Sequence, residues 1–207
     1  MTLTDYFTRN LHGAWRLLRG DEAGLSEFDL STDGFYRSFW AMAAAFVLAV
    51  PGIVADHRAG LAFAAQTPDV HFAMPLSVYV ATEIVVFLIG WGVFLWLMMT
   101  VARRFGAADR YGTYVIVYNW ASLLMVCIGL PLALAQLGGL ITWDFALALQ
   151  IILGLIFLTY SWYIAVKALQ VNGWDAGAVV ALEILLYIIL AMPVERIYAV
   201  FPATGLQ

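Results

Sequence analysis

The chain has 207 residues, 64% of them apolar and 12% charged, with a formal net charge of −4. Soluble domains are close to half apolar and a quarter charged, so this composition excludes an ordinary water-soluble fold. No basic patch supports nucleic-acid binding, and the single cysteine, Cys127, has no partner in the chain for a disulfide.

Residues 1–34 read as a cytoplasmic segment. Leu3, Tyr6, Phe7, Leu11, Ala14, Trp15 and Leu18 recur at helical spacing, and Arg9, His12, Arg16 and Arg19 project mainly from the polar side. An amphipathic helix of this kind suits either the headgroup layer of a bilayer or the ends of membrane helices. On both readings Arg9, Trp15, Arg16 and Arg19 lie at the membrane surface. Acids and bases are mixed and no signal-like apolar stretch occurs, so no cleaved leader is expected. Gly20 ends the helix, Asp21 can cap a short second one through Phe28, and Ser31, Thr32 and Asp33 offer capping oxygens before the next element.

Residues 35–207 read as a transmembrane domain, which makes the chain an all-α polytopic membrane protein. Five apolar runs lie at about 36–55, 78–101, 113–137, 145–168 and 176–194, each near or above the ~20 residues that cross a bilayer as a helix. Eight of the ten Lys and Arg residues fall on one side of this pattern: Arg9, Arg16, Arg19 and Arg37, then Arg103, Arg104 and Arg110, then Lys167. Arg58 and Arg196 fall on the other. The positive-inside rule therefore places the amino terminus in the cytoplasm and the carboxyl terminus outside. Asp56, His57, Asp69 and His71 occupy the first outer gap, about 55–77, without metal-ligand spacing, so no metal site is expected.

The last three runs carry the informative polar residues. In the third, Gly112, Val115, Asn119, Ser122, Val126, Gly129, Ala133 and Gln136 share a narrow face expected to look inward, and Pro131 is expected to bend the helix. In the fourth, Ala146, Gln150, Gly154, Phe157, Ser161 and Ala165 form a comparable face; in the fifth, Ala176, Val180, Glu183 and Tyr187 do. Glu83 and Glu183 are acids inside spans, where an ionised carboxylate costs on the order of 2.5–3.5 kcal/mol even on lenient scales. Hydration at the outer end of its span accounts for Glu83. Glu183 is either a proton or cation site or a hydrogen-bonded structural group. Asn119 and Glu183 lie at matching depth, roughly 10 Å from the cytoplasmic face at ~1.5 Å per residue, which predicts that they approach each other.

His12, His57 and His71 fall outside the runs, which excludes a bis-histidine haem. Paired cysteines, a phosphate-cradling loop, an HExxH helix and a nucleophile elbow are all missing, so neither enzymatic activity nor a cofactor is expected.

The order of elements, together with FDLSTDGFYRSFWA at Phe28 to Ala41 and RYGTYVIVYNWAS at Arg110 to Ser122, resembles the bacterial, alphaproteobacterial-type branch of the Yip1 family. That resemblance implies a multi-pass protein of the bacterial inner membrane with a periplasmic carboxyl terminus; eukaryotic members act in vesicle trafficking and associate with small GTPases. No residue role is inherited from it. Two functions stay open. One is a non-enzymatic organiser that contacts the bilayer and other membrane proteins or itself. The other is a small transporter or channel subunit whose path is lined by Asn119, Ser122, Gln150 and Glu183.

Overall fold

In hydrocarbon a long apolar chain can satisfy its backbone internally only as a helix or a closed barrel. The computed structural model, which describes residues 2–66 and 74–199 with side chains through Ala191, consists of helices and their connections. Helix α1 (Leu3–Leu18) is followed by a 3₁₀ turn (Glu22–Glu27). Then come α2 (Thr32–Gln66), α3 (Leu76–Arg104), a short turn (Ala108–Arg110), α4 (Tyr111–Leu137), α5 (Trp143–Ala168) and α6 (Gly173–Ala199). Each of α2 to α6 is long and apolar enough to cross a membrane.

Local sequence explains the boundaries. Thr2 and Asp5 form a reciprocal capping box at the start of α1. Gly20, at φ +79°, turns the chain out of it. Asp21 accepts from the Ala23 N–H at 3.0 Å to open the 3₁₀ turn, and Ser31 Oγ accepts from the Gly34 N–H at 3.0 Å to open α2.

Helix α2 overruns its expected end. It is 35 residues long and continues through Pro51 to Gln66, because the segment after the proline is rich in the strong helix former Ala. Asp56 and His57 therefore lie on a helix and not on a loop. His57 is buried, with Nε2 2.8 Å from the Met74 carbonyl oxygen. Asp69 and His71 lie outside the described residues.

Helix α4 is the hub, packed against α1, α2, α3 and α5. Every residue from Tyr114 to Leu124 is buried. The expected narrow inward face is thus too narrow for this half of the helix, because neighbours surround it on all sides. Pro131 lies inside α4, which continues to Leu137. The outer helices instead present apolar side chains such as Ile151, Ile152, Leu185 and Ile189 to the surroundings, as a bilayer solvent requires.

The short connections make consecutive spans antiparallel neighbours, so α1, the turn at Ala108–Arg110 and Lys167 share one end of the bundle. Asp109, whose side chain is 77% exposed, is a suitable reporter there, whereas Ala107 beside it is buried. In a Cys127→Ser background, Asp109→Cys is expected to react with an impermeant maleimide only from the cytoplasmic side and Gly138→Cys only from the opposite side. Labelling of both from one side would overturn the five-span topology.

Candidate functional site

Glu183 is the centre of the best-formed polar site. The buried residues Ala176 and Val179 seat α6 on the bundle and carry Glu183 to a half-buried position. Its Oε1 accepts from the Tyr118 hydroxyl of α4 at 2.7 Å, and its Oε2 accepts from Ser161 Oγ of α5 at 2.7 Å. One carboxylate thereby ties three helices. Tyr118 and Ser161 are buried, and the fully buried Tyr114 stacks one turn away with its ring 5.7 Å from that of Tyr118. Both partners of Glu183 are hydroxyls, so the site stabilises the carboxylate by hydrogen bonding rather than by an opposite charge.

Asn119 belongs to a different network. Its Oδ1 accepts from Trp91 Nε1 of α3 at 3.1 Å, and its Nδ2 donates to Ser38 Oγ of α2 at 3.0 Å. Ser38 in turn donates to the Phe35 carbonyl at 2.7 Å. The expected approach of Asn119 to Glu183 is not made. Adjacent residues on a helix point about 100° apart, so Tyr118 reaches α5 and α6 while Asn119 reaches α2 and α3. Glu183 bonds the residue next to Asn119, so the two lie at similar depth, and the angle around α4 sets the partner.

The other candidates separate as well. Ser122 donates to the Tyr118 carbonyl of its own helix at 2.9 Å. Gln150 and Gln136 face Asp56, with Glu83 within electrostatic range. Gln136 lies roughly 25 Å along α4 from Asn119 at ~1.5 Å per residue, so this cluster occupies the far end of the bundle. Asp56 joins it only because α2 extends beyond the expected span.

At the near end, α1 forms a docked module. Tyr6, Asn10, Gly13, Ala14 and Leu17 are buried on one side, and the Phe7 and Tyr6 rings meet Trp120 edge-on at 4.9 and 5.6 Å. Helix α5 holds the module from beneath. Tyr160 donates to the Ala14 carbonyl at 2.6 Å, Tyr163 donates to the Gly20 carbonyl at 2.9 Å, and Lys167 pairs with Glu22. Of the four expected surface residues, Arg9, Trp15 and Arg19 are exposed. Arg16 instead turns back onto the module, bonding Asp21 at 2.7 Å and Glu27 at 3.0 Å. Arg16, with help from the Ala23 N–H, holds the Asp21 carboxyl below its usual range.

Sequence reasoning did not single out Ser38, Trp91 or Tyr118 as polar partners. Aromatic side chains within apolar runs read as packing or interfacial anchors, and their N–H and O–H groups gain a role only once a neighbouring acceptor is placed. Among the described residues, no group of three or more His, Cys, Asp or Glu is arranged to hold a metal ion. Comparison of the chain with protein-family models, with curated proteins and with solved structures finds no match in any of the three.

Proposed function

We propose that this chain is a non-catalytic membrane organiser, of the type implied by the Yip1 resemblance, whose α1 module presents Arg9, Trp15 and Arg19 to partners at the cytoplasmic face of a bacterial inner membrane. The observation that carries the reading is the clamping of α1 onto α4 and α5, which holds one side of a surface helix rigid and leaves the opposite side open. A fixed, amphipathic display surface suits recognition of another protein or of lipid. The division of Asn119, Gln150 and Glu183 among three separate networks counts against a continuous polar path.

Photo-crosslinking residues at Arg9 and Trp15, with a control at the lipid-facing Ile189, test this in intact membranes. Discrete protein adducts at the two α1 positions, against bulk-lipid adducts alone at Ile189, are the expected result. Liposomes carrying the purified chain should also show no ion or proton flux above protein-free vesicles. Flux that Glu183→Gln abolishes would replace the organiser reading with the transporter one.

A further inference from the structure

A groove of about 430 Å³ runs along α5 beneath the end of α1. Ile152, Leu155 and Ile156 form its apolar floor, Leu18 and Gly20 its roof, and Tyr163 its upper end. The roof is fixed, because Tyr163 donates to the Gly20 carbonyl at 2.9 Å. A hydrogen-bonded roof separates this groove from the open lipid-facing surface elsewhere on α5 and α6.

Its length and charge indicate an occupant. From Ile152 to Tyr163 the groove covers roughly 16 Å of helix at ~1.5 Å per residue, about half of the ~30 Å hydrocarbon core. That is the depth of one leaflet. Arg19 lies between the two roof residues and is exposed. The neighbouring carboxylates Asp21 and Glu22 are engaged by Arg16 and Lys167 respectively. Arg19, which also helps Arg16 balance Asp21, thus lies on the chain between the two roof residues, beside the headgroup end of a slot about as long as one leaflet is deep.

We infer that the groove holds one glycerophospholipid of the adjoining leaflet, with an acyl chain along Ile152, Leu155 and Ile156 and its phosphate at Arg19. The inference rests on the reading that the α1 end lies at a membrane surface, and it names lipid as a partner of that end. The chain enters sideways from the bilayer, because Leu18 and Gly20 cover the α5 face only at its headgroup end. Lipid bound in this way is distinguished from the surrounding bilayer by its stoichiometry and by its resistance to detergent exchange.

Native mass spectrometry of the full-length protein, exchanged into detergent and titrated with dioleoyl phosphatidylglycerol, tests it. The expected result is one lipid retained per chain, unaffected by millimolar inorganic phosphate. Ile156→Trp, which fills the floor, should lower retention at least tenfold, and Arg19→Gln severalfold. Ile189→Trp on α6 should leave it unchanged. Should Ile156→Trp fail to fold, as judged by elution and thermal melting, Ile152→Trp provides the same test. Equal retention in wild type and the groove variants overturns the inference. So does displacement by inorganic phosphate, or an Ile156→Trp variant that separates a dimer without altering lipid retention. The crosslinking at Arg9 and Trp15 is independent of these results, so an empty groove and a failed organiser reading are distinguishable.

Discussion

Glu183→Leu is expected to destabilise the purified protein by about 1–3 kcal/mol, since interhelical bonds in a membrane bundle average ~0.6 and reach ~1.7 kcal/mol each, and this change removes two. Tyr118 and Ser161 each lose their carboxylate acceptor while remaining buried. Glu183→Gln should lose less, because the amide oxygen still accepts from one hydroxyl and the other hydroxyl can rotate to accept from the amide N–H₂. Reversible unfolding in mixed detergent micelles gives the values. The pattern of coupling is more diagnostic than any single loss. Tyr118→Phe combined with Glu183→Leu should be clearly non-additive, because both remove the same bond. Asn119→Ala combined with Glu183→Leu should add within ~0.5 kcal/mol, because Asn119 bonds Trp91 and Ser38 instead. A strong Asn119–Glu183 coupling would overturn the separation of the two networks.

That separation marks where sequence reasoning ran out. Hydropathy measures transfer cost along the chain, so it located five apolar runs, and each lies wholly within one of the five long helices. It could not find the end of α2, because Asp56, His57 and Arg58 interrupt the apolar run, while the alanine-rich residues after them are still favourable for a helix. Periodicity sorts residues onto faces of their own helix but does not say which neighbour a face meets. Asn119 and Glu183 are both on polar faces, yet α4 offers its surroundings a full circle of partners. The same limit applies to Arg16. Its place on the polar side of α1 was legible, but the returning 3₁₀ turn that brings Asp21 and Glu27 to it was not. Position along an axis is a local property of sequence, whereas azimuthal pairing belongs to the assembled bundle.

The returning turn also sets the strongest prediction for the α1 module. Gly24→Ala is expected to release α1, because a Cβ there would lie 2.6 Å from the Gly13 carbonyl oxygen and 3.1 Å from the Leu17 backbone nitrogen. These are backbone atoms of a helix, so no rotamer change relieves the overlap. Gly13 has the reciprocal constraint, with its Cβ 2.8 Å from Glu27 Cβ and 2.9 Å from the Gly24 carbonyl oxygen. The turn must therefore move away from α1, which separates Arg16 from Asp21 and Glu27 and weakens the clamp from Lys167 to Glu22. Tryptic cleavage at Arg16 should then rise by tenfold or more, equivalent to about 1.4 kcal/mol of lost docking when opening is fast relative to cleavage. Gly20→Ala supplies the contrast. Gly20 has open space around its Cβ position but a φ of +79°, so the substitution carries only the roughly 1–2 kcal/mol cost of a left-handed conformation and no steric displacement. Gly177→Ala, in open space within α6, should leave cleavage unchanged. If Arg16 remains as protected in Gly24→Ala as in Gly177→Ala, the turn does not pack against α1 and the module does not present a fixed surface.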